Sequence, residues 1–367
     1  MSIPLVDLKA QHREIADEVR AGIDRVLEQT AFILGKDVAD FEREYAAFSG
    51  AKHCIGVANG TDAIELMLRA FGIGHGDEVI VPANTFIATA LAVARAGATP
   101  VLVDADPVHH LIDPDAVARK IGKKTKALLP VHLYGQIAPM EALEKIAADA
   151  GVLLFEDAAQ SQGARRGERT SGAIGAAAAT SFYPGKNLGA YGDAGAVTTN
   201  DDAIATKVRA LRNYGSEVKY HHPETGFNSR LDTMQAVVLR AKLARLAAWN
   251  EARRTAARRY DALLEGERAV VRPATLAGNE HVWHLYVVRV PNRDAVLKRL
   301  NEEGIGAGIH YPVPIHLQGA FAHLGHVRGD FPVTEKASDE IVSLPLFPQI
   351  TEEQQRRVVE VLARALR

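Results

Sequence analysis

Short apolar runs recur through the first half of the chain with helix-period stretches between them, and this alternation restricts the possible folds more than any other feature. Runs at 53–58, 78–82, 99–103, 127–131 and 152–155 have the length and near-continuous apolar character of strands buried on both faces. Stretches 63–71, 114–121 and 139–150 space their apolar residues as helices do. Strand, helix and strand in succession predict right-handed crossovers and a mostly parallel central sheet flanked by helices, an α/β fold. A strand at 194–199 and a helix at 204–211 extend it, and amphipathic helices at 11–29 and 38–48 precede it. At 367 residues the chain exceeds a usual single core. The long Ala-, Arg- and Leu-rich helical stretch 231–264 therefore bridges a large domain, 1–248, and a smaller α+β C-terminal domain, 249–367. The latter has strands at 282–290 and 307–311 and helices at 293–303 and 351–366.

Two stretches carry chemistry. Asp157 follows the apolar run 151–155, which places it at the carboxyl end of a strand, the edge where ligands bind in open α/β sheets. Lys186 lies between Gly185 and Asn187 and ahead of Gly189, Gly192 and Gly195, in backbone too glycine-rich for a helix interior. Taken singly, the aspartate is an ordinary turn residue and the lysine an ordinary solvated loop residue. Facing one crevice, they are what pyridoxal phosphate requires: an amine for its aldehyde and an anion that keeps its ring nitrogen protonated. Unit charges 4 Å apart at an effective dielectric of 20 interact by roughly 4 kcal/mol, worth about three pK units. Ser181 is placed to bond the cofactor phosphate, and Gly60 and Thr61, opening a helix after the first strand, offer it free N–H groups and a positive dipole end. Thr61 would also serve as a simple helix cap, and Asp62 would have to point away from a phosphate. Phe86, at the same sheet edge, is either a core residue or a ring that stacks on the pyridine.

Glu156-Asp157-Ala158-Ala159-Gln160-Ser161, Ser181-Phe182-Tyr183-Pro184-Gly185-Lys186-Asn187, Asn59-Gly60-Thr61-Asp62-Ala63 and Gly226-Phe227-Asn228-Ser229-Arg230-Leu231-Asp232 resemble the motifs of the DegT/StrS-type nucleotide-sugar aminotransferases, in the same order. The resemblance spans nearly the whole chain and implies a fold-type-I pyridoxal phosphate enzyme. It gives Lys186 the role of Schiff-base lysine and Asp157 that of ring-nitrogen partner, sets Phe86 and Gln160 at the ring, and lets Asn228 reach the phosphate in the partner subunit of a homodimer with shared sites. His310-Tyr311-Pro312-Val313-Pro314-Ile315-His316 resembles the segment that closes over the sugar, which makes His310, Tyr311 and His316 candidates for substrate contact. Likeness to the 3-keto branch adds Tyr183 at the hydroxyls beside the ketone and Lys219 at the diphosphate. The implied reaction is amino transfer from glutamate to a dTDP-linked 3-keto-6-deoxyhexose. A 4-keto nucleotide sugar or a keto-inositol is the alternative substrate, and a non-catalytic regulatory protein the alternative of another class.

Composition narrows the rest. A net charge of −2 and a pI near 6.7 argue against a nucleic-acid binder. Cys54 is the single cysteine, which excludes an internal disulfide; its apolar neighbours mark it as a core residue. His221 and His222 are adjacent, and no Cys/His spacing fits a metal site. Neither a signal-peptide pattern nor an 18-residue apolar stretch is visible, so the expectation is a cytoplasmic protein away from membranes.

Overall fold

The computed structural model describes residues 2–367. Helices α1 (Leu8–Gln29) and α2 (Lys36–Ser49) lead into alternating elements: β1 (His53–Val57), α3 (Gly60–Ala70), β2 (Glu78–Pro82), α4 (Ile87–Arg95), β3 (Thr99–Val103), α5 (Pro114–Lys120), β4 (Thr125–Leu128), α6 (Met140–Ala150) and β5 (Leu153–Asp157). Then come β6 (Ala177–Ser181), β7 (Gly195–Thr199), α7 (Asp202–Leu211) and the 31-residue α8 (Thr233–Leu263). The seven strands form one sheet in the order β1-β7-β6-β5-β4-β2-β3. Only β7 runs antiparallel to its neighbours. The carboxyl ends of β1, β2, β5 and β6 consequently share one edge, where Asp157 closes β5, Gly60 opens α3, and Phe86 and Lys186 lie in the segments after β2 and β6. The strands are buried along nearly their whole length, as their uninterrupted apolar runs require.

A second apolar core gathers residues 256–264 of α8 with Tyr286, Val288, Leu300, Val342, Leu362 and, from the opposite end of the chain, Ile3. Its sheet pairs β8 (Tyr286–Arg289) antiparallel with β9 (Ile341–Leu344), framed by α9 (Arg293–Glu302), α10 (Pro332–Glu340) and α11 (Glu352–Ala365). Residues 236–246 of α8 pack instead into a core with Phe41, Tyr45, Phe182 and Leu188. The helix runs unbroken through 248/249 between the two cores.

This half of the chain departs from the sequence reading. The strand expected at 282–290 begins only at Tyr286, because the N–H of Val282 bonds Gly135 and its carbonyl accepts from Asn187, leaving neither for a ladder. At 307–311 there is a single bridge, Gly308 to Ser343, and the partner of β8 is β9. Helix α3 starts three residues before the expected 63, and its cap is Asn59, whose Oδ1 accepts from the N–H of Asp62; Thr61 lies inside the first turn. Cys54 is buried in the core, as its neighbours foretold.

Candidate active site

At the amino end of α3, the helix itself offers no acceptor to the N–H groups of Gly60 and Thr61. Close packing sets this turn against β6 and β7. A Cβ on Gly60 would lie 2.6 Å from the Ser181 Cβ, and one on Gly195 would lie 2.4 Å from the backbone of Asn59. Only glycine at both positions admits the approach. Asp62 is turned aside: its carboxylate accepts from Ser229 Oγ at 2.8 Å and pairs with Arg95 at 3.1 Å. Two backbone donors and the Ser181 hydroxyl thus share one small turn with the donor chemistry to hold an anion, free of the nearby carboxylate.

Asp157 ends β5 and is 4 % exposed. Its Oδ2 accepts from Thr89 Oγ1 at 2.8 Å and its Oδ1 from the N–H of Ala159 at 3.1 Å. Burial raises its carboxyl, while these two donors and the positive charge of Lys186 favour the anion. Lys186 follows a tight turn in which its own N–H bonds the carbonyl of Tyr183. Desolvation in the crevice brings its ammonium down to about 8, although the Asp157 charge pulls the other way. Roughly a tenth of the amine is neutral at pH 7, against less than a thousandth for a free lysine.

Around this pair stand several of the expected residues. Gln160 Oε1 accepts from the N–H of Tyr134 at 2.6 Å, and its Nε2 donates to the Tyr311 hydroxyl at 3.0 Å. Phe86, 50 % exposed, sets its ring 5.1 Å from that of Tyr311. His310 bonds Ser343 Oγ through Nδ1 at 2.8 Å; burial, with the Lys186 charge, lowers it to about 4, so it is neutral. Tyr183, 59 % exposed, stands at the head of the lysine turn.

Other expected residues lie elsewhere. His316 is a correction: it is buried where the 315–331 segment packs onto the core of the large sheet, its Nε2 2.9 Å from Glu335 Oε1 and its ring against Phe331, which leaves it no surface for a substrate. Lys219 sits in an exposed loop with its Nζ over the ring of Tyr220, in contact with no residue of the crevice. The side chain of Asn228 is exposed on its own chain. Among the described residues no cluster of His, Cys, Asp and Glu could hold a metal ion, and no helix is long and apolar enough to cross a membrane.

The sequence reading also missed supporting groups. Thr89 is one, and its signal is a hydroxyl one turn into the otherwise apolar α4, at the same sheet edge as Phe86. Glu156 is another, fully buried and accepting from the N–H groups of Gly172, Ile174 and Gly175. His132 Nδ1 accepts from the N–H of Ala138, so its Nε2 carries the proton that it donates to Glu156 at 2.9 Å. Burial alone would raise the Glu156 carboxyl, but His132 and the amides hold it below the usual range. Replacing Glu156 by Ala strands four donors, two of them fully buried, beside the Asp157 strand and should destabilise the protein by roughly 3–5 kcal/mol. Chemical denaturation checks this; a loss below about 1 kcal/mol would show that the loop 172–175 is held by other contacts.

The donor set fits pyridoxal phosphate: a turn with free N–H donors, a low-pKa amine, a buried carboxylate and a half-exposed aromatic ring meet at one sheet edge. Comparison with known proteins agrees. Residues 13–363 match the DegT/DnrJ/EryC1/StrS aminotransferase family. The chain is 49% identical to a "pleiotropic regulatory protein" of Geobacillus stearothermophilus, over 99% of this chain and 98% of that one. It is 46% identical to a dTDP-3-amino-3,4,6-trideoxy-alpha-D-glucose transaminase of Streptomyces venezuelae, over 98% and 95%. A crystal structure of S. venezuelae DesV in complex with a ketimine intermediate superposes with a TM-score of 0.97 at 45% identity, covering 100% of this chain and 99% of that one. The alternating strands, the lysine turn and the paired aspartate have their explanation here: the chain belongs to the DegT/DnrJ/EryC1/StrS family of pyridoxal phosphate-dependent aminotransferases.

Proposed function

We propose that this enzyme moves an amino group from glutamate to the 3-keto carbon of a dTDP-linked 6-deoxyhexose, yielding an amino sugar. The observation that carries the proposal is the Lys186–Asp157 pair, desolvated and mutually coupled at the end of β5, in a chain 46% identical to a transaminase named for a 3-amino dTDP-sugar. When bound, pyridoxal phosphate supplies an aldehyde that carries the amino group and a ring that takes up electrons from the donor's α-carbon. The protein's own groups do the rest. The Gly60 and Thr61 amides and the Ser181 hydroxyl would hold the phosphate, and Asp157 would hold the proton of the ring nitrogen. Lys186 Nζ, partly neutral near pH 7, moves the proton that leaves the donor carbon. Phe86 and Tyr311 would bound the ring, with Gln160 pinning the Tyr311 hydroxyl. His310, neutral and within the field of Lys186, can hydrogen-bond a sugar hydroxyl without adding charge. Tyr183 and Lys219 remain proposed contacts to the sugar and the diphosphate.

The test is turnover of glutamate with a panel of 3-keto and 4-keto nucleotide sugars and a keto-inositol, read as a mass change. We expect the 3-keto dTDP sugar to exceed the others in kcat/KM by at least about tenfold, a difference of roughly 1.4 kcal/mol in transition-state binding. Preference for a 4-keto sugar or the keto-inositol would overturn the regiochemistry or the substrate class. The Geobacillus relative's name favours one second reading, a regulatory protein, and turnover of no ketone would favour it here.

The proposal includes a cytoplasmic homodimer with shared sites. Phe32, Ile33 and Leu34 are a run of exposed apolar side chains that a second copy would cover. Asn228 is exposed beside Ser229, which is itself bonded to Asp62 in the first turn of α3. If Asn228 serves the partner's phosphate, a mixed dimer of Asn228→Ala and Lys186→Ala chains contains one doubly altered site and one intact site. Mixing two nearly inactive proteins should then restore up to about a quarter of the unaltered activity, for random exchange. No recovery after demonstrated subunit exchange would place Asn228 in its own chain's site.

A further inference from the structure

The lysine turn is tied down at both ends, and both ties lead to Gln162, five residues on from Asp157. At its start, the Gln162 side chain donates through Nε2 to the carbonyl of Ser181 and to Thr180 Oγ1, each at 2.9 Å. Past the lysine, Asn187 Nδ2 donates at 2.9 Å to Asn250 Oδ1, in the middle of α8. The other end of the same amide, Asn250 Nδ2, donates at 2.9 Å to the Gln162 carbonyl. Asn187 and Asn250 are 2 % and 3 % exposed, so water does not compete for these bonds. Room for Asn250 is itself built in. A Cβ on Gly163, which has a φ of +85°, would lie 2.9 Å from Asn250 Nδ2 and 2.9 Å from the Phe48 ring, so the backbone there must be glycine on two counts.

We propose that Asn250 is a positioning residue: its side-chain amide clamps the lysine turn to the Asp157 segment and thereby keeps Lys186 half-buried in the crevice beside its carboxylate. It touches neither the reacting atoms nor the cofactor pocket; it acts through Asn187 on one side and the Gln162 backbone on the other. A long lysine side chain stays desolvated only if its own backbone is held in place, since four rotatable bonds otherwise carry the ammonium to water. Asn187 keeps two other contacts, donating to the Val282 carbonyl at 2.9 Å and placing Oδ1 3.3 Å from His284 Nδ1, so losing the clamp loosens the turn toward the 282–284 segment without freeing it. The consequence is a readable change in Lys186 itself. Held, its amine titrates at about 8; released toward solvent, it moves back toward the ordinary 10.5.

The inference rests on the reading of Lys186 and Asp157 as the cofactor pair, and the test separates the two. Full-length chain is acetylated with trace acetic anhydride across a pH series, with and without pyridoxal phosphate, and each lysine is followed by peptide mass. Lys242 is the internal control. It lies in the same helix as Asn250, is more deeply buried than Lys186 and is likewise lowered to about 8, but it packs over Tyr191 and has no part in the clamp. In Asn250→Ala the Lys186 midpoint should rise by roughly one pH unit while that of Lys242 stays, a roughly tenfold loss of reactive amine at pH 7. Asn250→Ser, which keeps a donor and an acceptor on a shorter arm, should shift Lys186 in the same direction by less, and serves if the alanine variant does not fold. An unmoved Lys186 midpoint overturns the inference alone, as does an equal rise at both lysines, which would mean a general loosening of α8. Failure of pyridoxal phosphate to shield Lys186 in the unaltered chain overturns the functional reading, and the inference with it.

Discussion

Lys186→Ala should lower transamination by about 10³-fold or more while leaving the fold intact, because on the proposed reading one side chain would supply both the amine that holds the cofactor and the base that moves the proton. No neighbour can substitute. His310, lowered to about 4, and His284, driven well below its ordinary value by burial and the Lys186 charge, are far weaker bases than an amine titrating at about 8. The substitution also removes a half-buried ammonium whose partial desolvation opposes folding, so the melting temperature should hold or rise. Activity within tenfold of the unaltered enzyme would mean that another group does this work. A loss of activity accompanied by unfolding would leave Lys186 a structural residue only.

Asp157→Asn should cost about 10³-fold. An attraction of roughly 4 kcal/mol between the carboxylate and a protonated ring nitrogen at contact is worth about three decades of rate, and an amide supplies no charge. Shape is nearly conserved. Thr89 also lies 3.0 Å from Thr85 Oγ1, so its hydroxyl can turn to accept from the new amide. Because burial raises the Asp157 carboxyl, its ionised form opposes folding at neutral pH, and the variant should be at least as stable as the parent. Steady-state turnover with a melting curve tests both statements. Near-normal turnover, or a large loss of stability, would assign Asp157 to structure.

The elements that position the site were legible because each is local. A buried parallel strand is a continuous apolar run, a glycine-rich turn has glycines, and Asp157 and Lys186 sit immediately after such signals. What escaped depends on contacts distant in sequence. Strand β9 is four residues long and finds its register only against β8, more than fifty residues earlier. Helix α10 is polar along most of its length and shows no clear apolar stripe. His316 was misassigned for the same reason. In a segment with a histidine at each end, spacing does not say which one turns toward the crevice, and Glu335, which captures His316, arrives from another element. Thr89, Glu156, His132 and Asn250 are ordinary residues held by partners 16 to 88 positions away, so only the folded chain assigns them.

The central claim is that Lys186, and no other lysine, holds the cofactor. Lys242 makes the test exacting, because burial has lowered it to about 8 as well, and a reactive amine alone would not distinguish the two. Protein loaded with pyridoxal phosphate, reduced with borohydride and cut into peptides should carry the pyridoxyl label on the peptide containing Lys186, in near-stoichiometric amount, with the visible absorbance bleached in parallel. Label on Lys242 or on any other lysine, with Lys186 unmodified, would contradict the account.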